Sequence, residues 1–181
     1  MITYPYIFFK LRLQQKLPQL KQIDYYRGQD RKKNDGLFFA GSAVLIQFKP
    51  TNDLQTKTQR MQSATMDIEF LTYSENVHSD DKRIYKDDPT DHMALVDAVY
   101  KALTGYSAKL SDLQALSNLK GTTGDAYIFN SLNRVGFSPD HGSKDYMLTG
   151  QTFRCKIWDV SARPEFVSVS PEMLLNKTIL V

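Results

Sequence analysis

The chain has 181 residues, of which 41% are apolar and 12% are aromatic, and its formal net charge is +3. This length fits one domain, or one domain with an extension, and the apolar fraction allows a buried core. The small positive surplus is too weak to identify a nucleic-acid binder from charge alone. The sequence has no run of about 18 apolar residues that would span a membrane.

The first segment, residues 3–17, predicts an amphipathic helix. Thr3 is placed to cap it, Pro5 suits its first turn, and Pro18 ends or kinks it. Its apolar stripe has helical spacing and consists of Tyr4, Ile7, Phe8 and Leu11. We expect this helix to pack on a sheet. Ile23–Arg27 then predicts a short strand or bridge.

Two strong strand patterns follow. Gly36–Lys49 is apolar on both faces, which predicts a central strand covered on both sides, with another subunit as one possible cover. Thr51–Thr58 predicts a polar hairpin connection, long enough to project as a contact finger. Gln59–Tyr73 alternates strictly: Ala64, Met66, Ile68 and Phe70 share one face, and Ser63, Thr65, Asp67 and Glu69 share the other. This alternation indicates an antiparallel sheet covered on one side only.

The middle of the chain predicts a polar surface loop and a second helix. Ser74–Asp88 is the loop, and Asp88 is placed to cap a helix that has Pro89 at its first position and ends at Gly105. The apolar stripe of this helix consists of Leu95, Val96, Val99 and Leu103. We expect the stripe to lie across the apolar face of the sheet.

The last third is less regular. Tyr106–Gly124 fits either a short helical turn or a loop, Ala126–Val135 predicts a third strand, and Gly136–Lys144 predicts turns. Asp145–Asp159 predicts the fourth strand. Its inner face consists of Met147, Phe153, Cys155 and Ile157, while Arg154 and Lys156 point away. Ser161–Val181 has no obvious place in the core and fits either an extended arm that adds to a neighbour's sheet edge or a disordered tail.

Together these elements predict an α+β fold. It has an antiparallel or mixed sheet of about four strands with two main helices packed on one face, plus an extended C-terminal arm. The predicted domain covers residues 1–159, and residues 160–181 form the extension.

Few residues suggest chemistry. The histidines His78, His92 and His141 are scattered, and the aspartates around position 88 lack the spacing of a calcium loop. The single cysteine, Cys155, excludes an internal disulfide, favours a reducing compartment, and sits where core packing is expected. We therefore predict a protein that is not an enzyme, with no catalytic, cofactor-binding or metal-binding residues.

The basic residues allow two interpretations. Arg31, Lys32 and Lys33 form a run that is usually a solvated loop, but in a ring it would face a DNA channel or an acidic neighbour. With Arg27 and the adjacent Tyr25 and Tyr26, the same run also fits a small nucleic-acid-binding module.

Several segments, taken in order, carry a resemblance. They are the N-terminal helix followed by IDYYRGQ, then GLFFAGSAVLIQF, TQRMQSATMDIEFLTYSE, DHMALVDAVYKALTGYS, NRVGFSPDHGSKD and TFRCKIWD. Across about residues 1–159 this pattern resembles the tail terminator, or tail completion, proteins of tailed bacteriophages.

The resemblance implies a structural virion protein, assembled in the host cytoplasm, without a cofactor or membrane contact. It forms a ring at the neck and tail junction, commonly sixfold with twelvefold as the alternative, that joins the head connector to the tail. Its partners are copies of itself, other neck, portal-connector and tail proteins, and, transiently, genomic DNA in the lumen. The residues expected to contact lumen or neighbours are Arg27, Arg31, Lys32, Lys33, Lys57 and Arg60. The alternatives are the nucleic-acid-binding module, another α+β interaction protein, or an enzyme of unrecognised type.

Overall fold

A computed structural model of the chain describes residues 2–28, 41–51, 55–58, 61–75, 89–112, 127–139 and 146–159. The elements within these ranges are α1 (Thr3–Lys16), β1 (Gln22–Tyr25), β2 (Ala43–Pro50), β3 (Gln55–Thr58), β4 (Met61–Glu75), α2 (Pro89–Leu103), β5 (Ala108–Lys109), β6 (Tyr127–Phe129), β7 (Asn133–Ser138) and β8 (Tyr146–Asp159). Of the predicted loop Ser74–Asp88, residues 74 and 75 belong to β4 and residues 76–88 lie outside the described residues, as does the predicted arm 160–181.

All the described strands belong to one mixed sheet. Its order is β1-β2-β4-β8-β6-β5, with β3 beside β4 and β7 beside β8. β1 runs parallel to β2, and the other pairs are antiparallel. The predicted combination of helices and sheet is confirmed, but the number of about four strands is wrong, because the sheet has eight. Strands of two to four residues carry too few alternations to be separated from loops by pattern.

β4 and β8 form the long central ribbon. Their register is unbroken from Gln62 opposite Asp159 to Glu75 opposite Tyr146. The predicted inner face of β4 is confirmed, because its four apolar residues are buried: Ala64, Met66, Ile68 and Phe70. Ser63 was expected on the exposed face but is fully buried, since the large Trp158 lies directly opposite it.

β2 shows that both faces of the sheet are covered within one chain. Val44, Ile46 and Phe48 face the main core, as predicted, and Leu45 faces the other side. Leu45 has an exposed fraction of 0%, so of the two possible covers, this chain or another subunit, the chain itself covers this face at that position. It belongs to a second, smaller apolar cluster of Ala43, Leu45, Leu71, Tyr73 and Leu148, against which Tyr26 and Tyr146 pack. The sheet is therefore not covered on one side only.

α1 is buried more broadly than its predicted stripe. The helix begins after Ile2 without a side-chain cap, so the expected capping by Thr3 is wrong, and it ends at Lys16 ahead of Pro18. Ile7, Phe8 and Leu11 are buried as predicted, and so are Phe9 and Leu13. The ring centroid of Phe9 lies 6.0, 5.5 and 4.7 Å from those of Phe48, Phe70 and Phe129. Such aromatic pairs add about 0.5–1.5 kcal/mol each beyond area burial.

α2 lies on the same side of the sheet as α1. Val99 and Leu103 reach the main core and Val96 is buried, as the stripe predicted, while Leu95 is only half-buried. Gly105 follows the helix with a φ of 74°, the left-handed conformation that commonly ends helices. The expected cap, Asp88, lies outside the described residues.

Sequence analysis misplaced the boundaries of the shorter strands. The predicted strand Ala126–Val135 is two strands, β6 and β7, and residues 136–138 continue β7 instead of forming a turn. The break arises at Asn130, whose side-chain oxygen accepts a hydrogen bond from Lys156 N at 2.6 Å. Part of the expected finger Thr51–Thr58 is strand β3, paired with β4, and part of the unassigned Tyr106–Gly124 is strand β5.

His92 ties α2 to the central ribbon, and sequence analysis did not anticipate this role. Its Nδ1 lies 2.8 Å from Ser74 Oγ on β4, and its Nε2 lies 2.8 Å from Thr149 Oγ1 on β8. The ring is 2% exposed. A neutral imidazole has one N–H donor and one acceptor nitrogen, so one hydroxyl donates to it and the other accepts from it.

We predict that His92→Leu lowers the free energy of unfolding by about 2–4 kcal/mol, because it leaves two hydroxyls without this partner in a buried site. Adding Ser74→Ala and Thr149→Val should recover part of the loss, since both sides are then apolar. Urea unfolding followed by circular dichroism measures the change. Met93→Ala is the matched control on the next, exposed position of α2, and we expect it to stay within about 0.5 kcal/mol. A His92→Leu protein as stable as the parent would contradict the tie.

Candidate functional site: an open strand edge and a charged sheet face

β7 is an edge strand with exposed apolar side chains. It pairs with β8 from Asn133 opposite Arg154 to Ser138 opposite Gly150, and among the described strands it has no partner on its other side. Val135 and Phe137 each expose 49% of their surface. Edge strands with exposed apolar residues are templates for pairing with another chain. This edge is therefore the strongest candidate for a contact surface.

The position of β7 is fixed by close packing. A Cβ on Gly150 would lie 3.1 Å from Glu69 Oε1 and 3.3 Å from Ser138 Cβ. Glycine at this position therefore lets β4 and β7 side chains approach each other across β8. Val135 lies where the β7–β8 register shifts between Arg134 and Gly136, and such bulges re-aim side chains at strand edges.

The only charged residue of β7 is held against α2. The guanidinium of Arg134 lies 4.0 Å from the ring centroid of Tyr100, which in turn stacks on Phe153 with centroids 6.3 Å apart. Edge strands are commonly protected by charged side chains that point into solvent. Arg134 is exposed, and its contact with Tyr100 holds the one charge of β7 against α2.

The sheet face opposite the helices carries two ion pairs. Lys49 Nζ lies 2.6 Å from Glu69 Oε2. Arg154 donates two hydrogen bonds to Asp67, at 2.7 and 2.9 Å. These hydrogen bonds, and the charge of Asp67, raise the pKa of Arg154 above its usual value. Pairs this exposed fix side-chain positions more than they add stability.

An aromatic and basic surface lies where β5, β6 and β8 meet. We call it the aromatic–lysine surface, and it consists of Lys109, Tyr127, Lys156 and Trp158. The Tyr127 and Trp158 rings are 6.2 Å apart, and Tyr127 is 41% exposed. Lys109 Nζ lies 5.4 Å from the Tyr127 centroid, and Lys156 Nζ lies 5.8 Å from that of Trp158. Such contacts orient the cations over the rings.

A buried polar cluster surrounds His92. Gln151 donates from Nε2 to the carbonyl oxygen of Val96 at 2.6 Å, next to the two His92 contacts. Gln151 Oε1 and Thr72 Oγ1 are buried without a hydrogen-bond partner among the described residues. A hydroxyl beside an imidazole is also the contact of a nucleophile with its base. Here the His92 ring is buried between α2 and the sheet, so we assign it the role of holding the helix in position on the sheet.

Cys155 lies in the main core, on the predicted inner face of β8. Burial, and then the charge of Asp67, raises the pKa of its thiol from 9.0 to about 12. The thiolate is the nucleophilic form of cysteine, so near neutral pH this side chain is a packing residue.

The described part of the chain includes only two of the six predicted contact residues. Arg27 is exposed just after β1 and lies near the phenol of Tyr6. Burial raises the pKa of this phenol to about 12. Lys57 lies in β3, and its side chain is not described. Arg31, Lys32, Lys33 and Arg60 lie outside the described residues.

Sequence analysis missed the edge formed by β7. The available signal was the alternation of Val135 and Phe137 within NRVGFS, with polar neighbours on either side. The Gly136 between them, and the following proline, favoured turns and concealed this alternation.

Comparison with known proteins gives no family for the chain. No protein-family model matches it, and no curated protein sequence matches it. Within the described ranges, no helix is long and apolar enough to cross a membrane. Over those same residues, no three His, Cys, Asp or Glu side chains are grouped to hold a metal ion.

The raised pKa of Cys155 predicts a pH dependence of stability. Because the folded-state pKa lies above the unfolded one, the stabilisation is fully present below pH 9.0 and is lost as pH rises toward about 12. One such group contributes a slope of up to about 1.4 kcal/mol per pH unit to the fall in unfolding free energy. Tyr6 and Tyr106, whose pKa values burial raises to about 12, add to the same fall.

We therefore expect Cys155→Ala to lose stability at neutral pH but to show a shallower decline between pH 9 and pH 11 than the parent. Urea titrations at a series of pH values measure how steeply the unfolding free energy falls with pH in the parent and in the variant. Cys155→Val, which refills the site without a thiol, should show the same slope as Cys155→Ala. Equal slopes in parent and variants would show that this thiol ionises as freely in the folded protein as in the unfolded one.

Proposed function

We propose that this chain is a structural virion protein of a tailed bacteriophage that forms a ring at the junction of neck and tail. Two lines of support are independent. The order of its sequence landmarks resembles that of tail terminator proteins. The half-exposed edge of β7 supports assembly with another chain.

The β7 edge is the observation that carries the assembly part of the proposal. It presents Val135 and Phe137 on a strand packed closely against the central ribbon, so the surface is available without rearrangement of the core. A contact between this edge and a different surface of the next copy is head-to-tail. Head-to-tail contacts generate closed rings when the rotation between copies closes.

The charge balance supports a lumen through which DNA moves. A net charge of +3 per subunit is small, and the ion pairs Lys49–Glu69 and Asp67–Arg154 neutralise basic groups on the outer sheet face. Affinity for duplex DNA grows with the number of phosphates that Lys and Arg neutralise. A subunit of this kind contacts passing DNA without retaining it.

A ring has a defined size, which can be measured. Six copies of the 20.8 kDa chain make a particle of about 125 kDa, and twelve make about 250 kDa. We expect size-exclusion chromatography with light scattering to show one such closed species. The chain should be measured alone and co-expressed with the products of the genes next to its own, since a partner ring is one route to assembly. A monomer under both conditions would contradict the ring.

Single-stranded nucleic-acid binding is a second candidate function, supported by the aromatic–lysine surface. Proteins that bind single strands combine basic side chains with exposed rings on which bases stack. Tyr127 and Trp158 provide the rings, and Lys109 and Lys156 provide the charges.

Trp158 is the only tryptophan of the chain, so its fluorescence reports on this surface alone. If the surface binds single strands, a thymidine oligonucleotide should quench that fluorescence, and the affinity should fall steeply between about 50 mM and 200 mM salt. Tyr127→Ala should weaken binding about tenfold, in line with a stacking contribution of about 1–3 kcal/mol. Lys101→Gln, an exposed lysine on α2, is the control. Unchanged fluorescence at low salt would remove this candidate.

A further inference from the structure

We propose that the β7 edge of one copy is covered by residues 165–170 of a second copy, which add there as a further strand. This proposal rests on the proposed ring, because a neighbouring subunit supplies the strand. Two different segments form the junction, because each copy would contribute residues 165–170 as the donor strand and β7 as the acceptor strand.

The β7 edge, which is the acceptor, differs from the edge of the sheet formed by β1. At that edge, β1 has only four residues, and short edge strands resist further pairing. β7 has six residues, and its one charge, Arg134, is held over the Tyr100 ring. Its two apolar side chains, Val135 and Phe137, lie half in solvent. Of these two edges, β7 is the one suited to receive a strand.

The donor has the composition of a short strand. Residues 165–170 read EFVSVS, with Val167 and Val169 alternating with Ser168 and Ser170. β-branched and aromatic residues in alternation favour strands. Pro164 and Pro171 flank the segment, and because proline cannot donate to a ladder, they set its length to about that of β7.

The donor lies close in sequence to the end of the central ribbon. It follows β8, which ends at Asp159, by five residues, and an extended chain of five residues spans about 17 Å. In the single chain, Val135 and Phe137 keep 49% of their surface exposed. Among the described strands nothing pairs with the outer side of β7, and because the proposed ring brings neighbouring copies together, we take a second copy as the occupant.

Strand addition supplies both affinity and order. Main-chain hydrogen bonds along the edge bind the added strand, and alternate side chains settle against the neighbouring surface. The donor and acceptor are different segments, so each junction leaves one free donor and one free acceptor, and successive copies can close into a ring.

Two single variants and their mixture test the junction. Phe137→Asp removes the acceptor but keeps the donor, and Val167→Asp removes the donor but keeps the acceptor. We expect each variant alone to be a folded monomer by light scattering and circular dichroism. Mixed in equal amounts, they can form only one intact junction, so we expect a heterodimer of about 42 kDa and nothing larger. Met93→Asp, with similar exposure off the strand, and Ser161→Asp, outside the flanking prolines, are matched controls that should assemble like the parent.

A crosslinking experiment on the unsubstituted edge identifies the contact directly. A photoreactive benzophenone amino acid at position 167 should capture residues 133–138. The assemblies are re-formed from equal amounts of ¹⁴N-labelled (light) and ¹⁵N-labelled (heavy) chains. The crosslinked peptides should then join a light segment to a heavy one as often as random mixing of the two chains predicts. Capture only within one isotope would show that the arm folds back on its own β7, and capture elsewhere would show a different junction. Either result overturns the proposal.

The two proposals fail in different ways. If the parent forms a closed oligomer but the arm does not capture β7, or if the Asp variants still assemble, the junction is wrong and the ring stands. If the parent is a monomer alone and with the products of its neighbouring genes, the ring itself is wrong.

Discussion

The pairing of β4 with β8 is the constraint on which the rest of the structure depends. Fourteen residues of each strand pair from Gln62–Asp159 to Glu75–Tyr146 without a shift, so the faces of both strands are fixed along their whole length. A slip of β8 by one residue along β4 would turn Phe153 out of the main core and turn Arg154 into it. The helices then follow, because α1 and α2 both cover the face that this register makes apolar.

Polar contacts add specificity to this apolar packing. His92 joins α2 to both strands of the ribbon, and Gln151 joins β8 to the carbonyl of Val96, so the helix has a defined position along the sheet. On the outer face, Asp67 and Arg154 join the same two strands by a two-bonded ion pair. Buried polar groups are costly unless they are paired, and here they select one arrangement of helix and sheet. β7 lies beside this fixed body, and among the described strands only its side toward β8 is paired.

Sequence pattern predicted the long elements and missed the short ones, for physical reasons. β4, β8 and α2 contain enough repeats of period 2 or 3.6 to establish most of their faces, and the exceptions are Ser63, which is buried, and Leu95 and Met147, which are only half-buried. β3, β5 and β6 contain too few, and β7 includes a glycine and a bulge that imitate a turn. His92 has no local signature, because its partners Ser74 and Thr149 are distant in sequence and meet only in the fold. The candidate edge was missed for the same reason: exposure depends on which strand pairs with which.

The central claim is that a rigid ribbon presents β7 as an edge that only a second copy covers. Amide hydrogen exchange, compared between the Phe137→Asp monomer and the assembled parent, tests it most directly. The account predicts that β4 and β8 amides exchange slowly in both, by global unfolding, whereas those amides of residues 133–138 that point away from β8 exchange quickly in the monomer and become at least about tenfold slower on assembly. Equal protection of residues 133–138 in both states would contradict it.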